Sequence, residues 1–125
     1  MDINDIMRSY IQMWNEPNED RRDELIANVF APDAIYEGPL VAACGRDGIS
    51  RIATELRSNL IGQRLMRNGN VEHHHESFRF RWQLVPGDGD AVFASGVDIG
   101  QVDASGQIER ITMFLDMAPA VPAAH

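Results

Sequence analysis

Apolar residues recur every three or four positions over Ile3, Ile6, Met7, Tyr10, Met13 and Trp14, which predicts an amphipathic helix. Asp2 is placed to cap it. Asn15-Glu-Pro17 ends it, because the residue before a proline is driven out of helical space. A second helix is predicted from Glu19 to Phe30, with Leu25, Ile26, Val29 and Phe30 as its apolar stripe. Its first turn holds Glu19, Asp20, Asp23 and Glu24, which suits the positive end of the helix dipole. Ala31-Pro-Asp33 stops it. Ala34 to Glu37 reads as a short strand closed by Gly38-Pro39, and Leu40 to Gly45 as a loop. A third helix, capped by Asp47 and ended by Gly62, buries Ile49, Ile52, Ala53, Leu56 and Leu60.

The period then changes to two. From Val71 to Val85, Phe78, Phe80 and Trp82 point one way and Arg79 and Arg81 the other, the pattern of a strand with one dry face. Pro86-Gly-Asp-Gly89 is a turn, Asp90 to Val102 a second long strand, Asp103-Ala-Ser-Gly106 a hairpin, and Ile108 to Met117 a third long strand. Three helices followed by antiparallel strands predict an α+β fold with the helices against one face of the sheet. On the last strand, Ile108, Thr112 and Phe114 fall on one face and Ile111, Met113 and Leu115 on the other. Apolar residues on both faces predict that both are covered, one by the helices and the other by a second copy in a two-fold homodimer.

Composition narrows the class. The chain has 125 residues, 44% apolar and 24% charged, with 19 acids against 11 bases and a net charge of −8. That is one globular domain, expected over residues 1–117 with a disordered tail over 118–125. The negative charge argues against nucleic acid and anionic membranes as partners. No segment has the apolar length of a membrane span or the basic flank of a signal peptide, so a cytoplasmic location is expected. A single cysteine, Cys44, allows neither an internal disulfide nor a paired-cysteine metal or redox motif.

Phe30-Ala-Pro-Asp-Ala-Ile-Tyr36, Gly45-Arg-Asp-Gly-Ile49, Phe80-Arg-Trp82, Gly96-Val-Asp98, Asp103-Ala-Ser-Gly106-Gln-Ile108 and Phe114 together resemble the nuclear transport factor 2-like superfamily. Within it they are most similar to the SnoaL-like polyketide cyclase and ketosteroid isomerase group, over about residues 3–117. The resemblance implies a cone-shaped, curved antiparallel sheet wrapped around three N-terminal helices, with an apolar pocket inside. It implies no cofactor and no metal. It also aligns Tyr10 and Asp98 with the pair that holds a developing oxyanion in ketosteroid isomerases, the handling of a neutral carboxyl described for that family. The family's general base falls at Gly38, and the neighbouring Glu37 points to the opposite face of a strand. The epoxide-hydrolase pattern of the superfamily keeps Asp98 alone, with Gly96 and Thr112 at its other two positions.

The residues themselves support three catalytic candidates. Asp98 lies among Val92, Ala94, Gly96 and Gly100 on an apolar strand face, where desolvation favours the neutral acid and the small neighbours leave space for a ligand. His74, carried along the alternation of Phe78, Phe80 and Trp82, is expected to look into the same cavity and move a proton. Tyr10 offers a hydroxyl from the first helix. Trp14, Tyr36, Phe78, Phe80, Trp82, Thr112 and Phe114 are expected to line the ligand site. His73-His74-His75 alternate faces and so cannot form one three-histidine metal site. The expected function is a cofactor-independent isomerase or cyclase acting on a small apolar ketone or polyketide-like molecule. The alternatives are a non-catalytic binding or dimerisation module with the same pocket, and an epoxide hydrolase.

Overall fold

The computed structural model describes residues 2–117; the tail expected over 118–125 lies outside the described residues. Three helices, α1 (Ile3–Asn15), α2 (Glu19–Val29) and α3 (Gly45–Asn59), pack against a curved, unclosed sheet. Its strands are β1 (Phe30–Glu37), β2 (Ala42–Cys44), β3 (Gln63–Arg67), β4 (Glu72–His74), β5 (Ser77–Pro86), β6 (Ala94–Val102) and β7 (Ile108–Met117). The order across the sheet is β2-β1-β7-β6-β5-β3, with β4 paired to β5. The pairs are antiparallel except β1 with β7, which run parallel. The fold is α+β, with its core between the helices and the inner face of the sheet.

Local chemistry explains most of the boundaries. Asp2 accepts a hydrogen bond from the Asn4 N–H at 2.9 Å, and Asn18 accepts one from the Arg21 N–H at 2.9 Å, so α1 and α2 both start on side-chain caps. Asp47 does not cap α3. That helix begins at Gly45, three residues earlier than such a cap implies, and its N-cap Cys44 makes no side-chain cap bond. β1 starts directly at the end of α2 and runs through Pro32, with its pairing to β7 shifting between Phe30 and Ile35. The segment expected as a loop after Leu40 contains β2, held against β1.

Three further differences affect the site. Gln63–Arg67, whose polar composition hides it in the sequence, adds β3 to the edge of β5. The alternation from Val71 to Val85 is broken at His75, whose φ of 52° turns the chain between β4 and β5. A register shift between Gln101 and Val102 puts Ile108 on the inner face with Ile111, not with Thr112 and Phe114. Among the described residues, no helix is long and apolar enough to cross a membrane.

Candidate functional site

β6 carries Asp98 at the centre of the inner face. Its side chain is 3% exposed and has two donors. The Tyr10 hydroxyl donates to Asp98 Oδ2 at 2.7 Å, and the Trp82 indole N–H donates to Asp98 Oδ1 at 3.0 Å. The two donors come from different directions. Tyr10 belongs to the buried stripe of α1 with Met7, Met13 and Trp14. Trp82 lies on β5 opposite Gly96, one inward position along from Asp98.

Glycine makes the second contact possible. A Cβ on Gly96 would lie 2.5 Å from Trp82 Cζ2 and 2.1 Å from the Phe114 carbonyl oxygen. The indole therefore occupies the space of the missing side chain, which lets its N–H reach along the strand to Asp98. Gly100 accommodates Phe78 in the same way, with the added Cβ 2.2 Å from Phe78 Cζ. The small residues beside Asp98 thus make room for two aromatic rings, and the ligand space expected there lies elsewhere.

That space is a cavity of about 310 Å³ bounded by Tyr10, Trp14, Tyr36, Trp82, Asp98 and Met113 on one side and by Ile52, Leu56, Arg57 and Leu60 of α3 on the other. It falls near the small end of the range for ligand cavities, about 300–1,000 Å³. Leu40 and Val41, between β1 and β2, also border it.

Burial dominates the electrostatics. Desolvation raises the Asp98 pKa to about 7, although the hydrogen bonds from Tyr10 and Trp82 favour the charged form and pull it down. Tyr10 and Tyr36 are both pushed well above the usual phenol range, first by burial and then by the nearby Asp98 charge. Both stay protonated as hydrogen-bond donors. The Tyr10 donor is committed to Asp98. The Tyr36 hydroxyl makes no hydrogen bond with any described residue, and its ring sits 5.5 Å from that of Trp14 in the cavity wall.

The candidates from sequence are placed as follows. Tyr10, Asp98, Trp14, Tyr36 and Trp82 come together at the cavity. His74 does not. It is exposed on β4, paired with Ser77, because the turn at His75 cuts it off from the alternation used to orient it. Phe78 and Phe80 are buried in the core outside the cavity, Phe80 with its ring edge against Tyr10 at 5.8 Å. Thr112 and Phe114 project from the outer face of the sheet, and Phe114 is 51% exposed. Gly38 packs against Met113: a Cβ there would lie 2.9 Å from Met113 Cε. Glu37 is paired with Arg110. Among the described residues, no group of three His, Cys, Asp or Glu could hold a metal ion.

Among the cavity residues that were not expected from the sequence are Met113, Ile52, Leu56, Leu60 and the charged Arg57. Arg57 follows Ile49 and Ala53 at four-residue spacing on the buried stripe of α3, and that spacing was the available signal.

Comparison with solved structures gives the fold class first. A cystatin-like protein of unknown function from Nostoc punctiforme matches with a TM-score of 0.73 at 14% identity, over 98% of this chain and 92% of that one. A polyketide cyclase candidate from Sinorhizobium meliloti matches with a TM-score of 0.66 at 16% identity, over 87% and 93%. An isomerase candidate of the SnoaL-like family from Agrobacterium tumefaciens matches with a TM-score of 0.84 at 32% identity, over 89% of this chain and 94% of that one. The chain belongs to the SnoaL-like family. No family model matches it, and no curated protein does.

Proposed function

We propose that this protein is a cofactor-independent isomerase or cyclase that moves a proton on a small, largely apolar carbonyl compound. The observation that carries this reading is Asp98: a buried carboxyl bordering an apolar cavity, poised to change charge near pH 7. A group with that pKa can take and return a proton at neutral pH.

In this mechanism the Asp98 carboxylate removes a proton from a carbon next to the substrate carbonyl. The C–H electron pair moves onto the carbonyl oxygen, and the Tyr36 hydroxyl, which makes no hydrogen bond among the described residues, donates to the resulting enolate. Asp98 then returns the proton to another carbon, which isomerises the substrate. Alternatively, the enolate carbon attacks a second carbonyl and closes a ring, and Asp98 returns its proton to the alkoxide that this leaves on the second oxygen. Tyr10 and Trp82 act as positioning residues that aim the carboxylate and hold its charged form accessible. Asp98 takes over the proton transfer expected of His74, and Met113 fills the space beside Gly38. The Agrobacterium and Sinorhizobium relatives, described as isomerase and cyclase candidates, support the same reaction class. The reading also takes the protein to be cytoplasmic and a homodimer, the second because Ile99 and Phe114 leave an apolar strip on the outer face of the sheet.

The test is exchange of the α-protons of 2-tetralone in D₂O, followed by NMR. The protein should accelerate exchange. Asp98→Asn should lower the accelerated rate by about 10²-fold or more, and His74→Ala should leave it unchanged. Full activity in Asp98→Asn would refute the mechanism. Tight ligand binding without exchange would leave the non-catalytic module as the better reading.

A further inference from the structure

The cavity wall holds a cation for which the described residues supply no counter-charge. Arg57 forms no hydrogen bond or ion pair among them, and its Nε is buried without an acceptor. Behind it, Arg22 is 2% exposed. One Arg22 nitrogen donates to the Glu16 carbonyl at 2.8 Å and another to Thr54 Oγ1 at 2.9 Å, while its Nε is also buried without an acceptor. Burial and the Arg22 charge together lower the Arg57 pKa, which places the two guanidinium groups within electrostatic reach of each other.

Arg22 is costly in this position, because a buried charge loses its hydration; Arg57 is half-buried, with its Nε shut off from solvent and without an acceptor. The arrangement is also unexpected in a chain with 19 acids and 11 bases, where carboxylates are plentiful. The ion pairs among described residues join Arg8 to Asp5, Arg79 to Glu72, Arg81 to Asp116 and Arg110 to Glu37, and none involves Arg22 or Arg57. Arg22 has a structural role, tying the end of α1 to α3. Arg57 stands in the last turn of α3, where a cation complements the helix dipole, and it borders the cavity without a hydrogen bond or ion pair among the described residues. Glu55 also borders the cavity, but it is exposed and is not ion-paired with Arg57 among the described residues.

We infer that Arg57 is a specificity-determining residue that receives a carboxylate at the wall of the cavity, so that the substrate is an apolar carbonyl compound bearing a carboxylic acid. The substrate class rests on the proposed proton-transfer reading; the carboxylate subsite rests on Arg57 alone. A planar guanidinium matches a carboxylate through paired N–H donors, and a monoanion costs less to desolvate in an apolar cavity than a phosphate dianion. The ligand would then span the cavity, with its acid at α3 and its carbonyl near Asp98 and Tyr36.

The test compares 2-naphthoate with its neutral isostere 2-naphthamide by titration calorimetry. The native protein should bind the acid about tenfold or more tightly than the amide, as expected of a charge-assisted contact in a desolvated site. Arg57→Met should remove that preference while leaving amide binding within a few-fold, and Arg57→Lys should restore part of it. The melting temperature of Arg57→Met without ligand should stay close to that of the native protein, because Arg57 is half-buried and makes no ion pair among the described residues; this measurement confirms that the variant folds. Asp98→Asn should keep the acid preference while losing tetralone exchange, which separates the two proposals. An unchanged preference in Arg57→Met, a preference of the native protein for the amide, or no naphthoate binding up to millimolar concentration each overturns the subsite.

Discussion

The Tyr10 hydroxyl donates its proton to Asp98 Oδ2 at 2.7 Å, joining the first helix to a strand 88 residues later in the chain. The contact sets the chemistry of the site from behind. A donor to a carboxylate stabilises the charged form, so Tyr10 opposes the upward push of burial on the Asp98 pKa.

Replacing Tyr10 with Phe should therefore move the Asp98 midpoint upward from about 7. The pH profile of tetralone exchange should shift to higher pH by the same amount. Stability should fall by about 1 kcal/mol, as for a lost buried hydrogen bond whose partner keeps a second donor. A profile that stays in place would show that Tyr10 does not tune Asp98.

Asp98 should also make folding pH-dependent in an unusual direction. Its pKa is raised in the folded state, from 3.8 to about 7, so between those values the folded protein holds a proton that the unfolded chain has released. The stabilising contribution is fully present below the unfolded value and is lost as pH rises through the folded one. Asp98→Asn removes this dependence. Relative to the native protein it should therefore gain stability between about pH 5 and about pH 8, by roughly 2–3 kcal/mol. Urea denaturation at the two pH values checks this, and an equal difference at both would sink it.

Gly96→Ala should disrupt the site through its neighbour. The added methyl group meets both the Phe114 carbonyl oxygen and the Trp82 ring, so the indole must move away from Asp98. A loss of roughly 1–3 kcal/mol or more is expected from such overpacking, with a fall in tetralone exchange. Gly100→Ala, which meets Phe78 and Ile111, should cost comparable stability while sparing the Trp82–Asp98 bond. Thermal melts and exchange rates of the two variants distinguish these outcomes.

The outer face of the sheet should hold a second copy of the chain. Ile99 is 42% exposed and Phe114 51%, and Val97 lies beside Phe114 in register. Phe114→Glu should convert a species of twice the chain mass to one of single mass, as read by light scattering after gel filtration. A native protein already at single mass would refute this interface.

The elements with clean periodicity were legible in the sequence. The stripe of α1 placed Tyr10 in the core, and the apolar face of β6 marked Asp98 as buried. Reasoning failed where one residue reset the count. The left-handed backbone at His75 severed His74 from Phe78, and the register shift at Gln101 and Val102 moved Ile108 to the other face. Alternation along a strand carries no information across such a point. β3 was missed because Gln63, Arg64 and Arg67 pair along an edge, where polar residues are tolerated. Arg22 and Arg57 were overlooked for the opposite reason. Each sits where an apolar stripe continues, Arg22 before Ile26 and Val29, and Arg57 after Ile49 and Ala53. Neither is among the candidates that the sequence pattern singles out.

The indole N–H of Trp82 is hydrogen-bonded directly to Asp98, a carboxyl whose ionisation turns over near neutrality. Its fluorescence is therefore wired to that event, with Trp14 as the single other indole in the chain. A change in emission as acidity varies would register the protonation state of Asp98 in the resting protein, with no substrate, label or coupled assay. The molecule carries its own indicator dye, and whether the site is poised can be observed before anyone knows what it acts on.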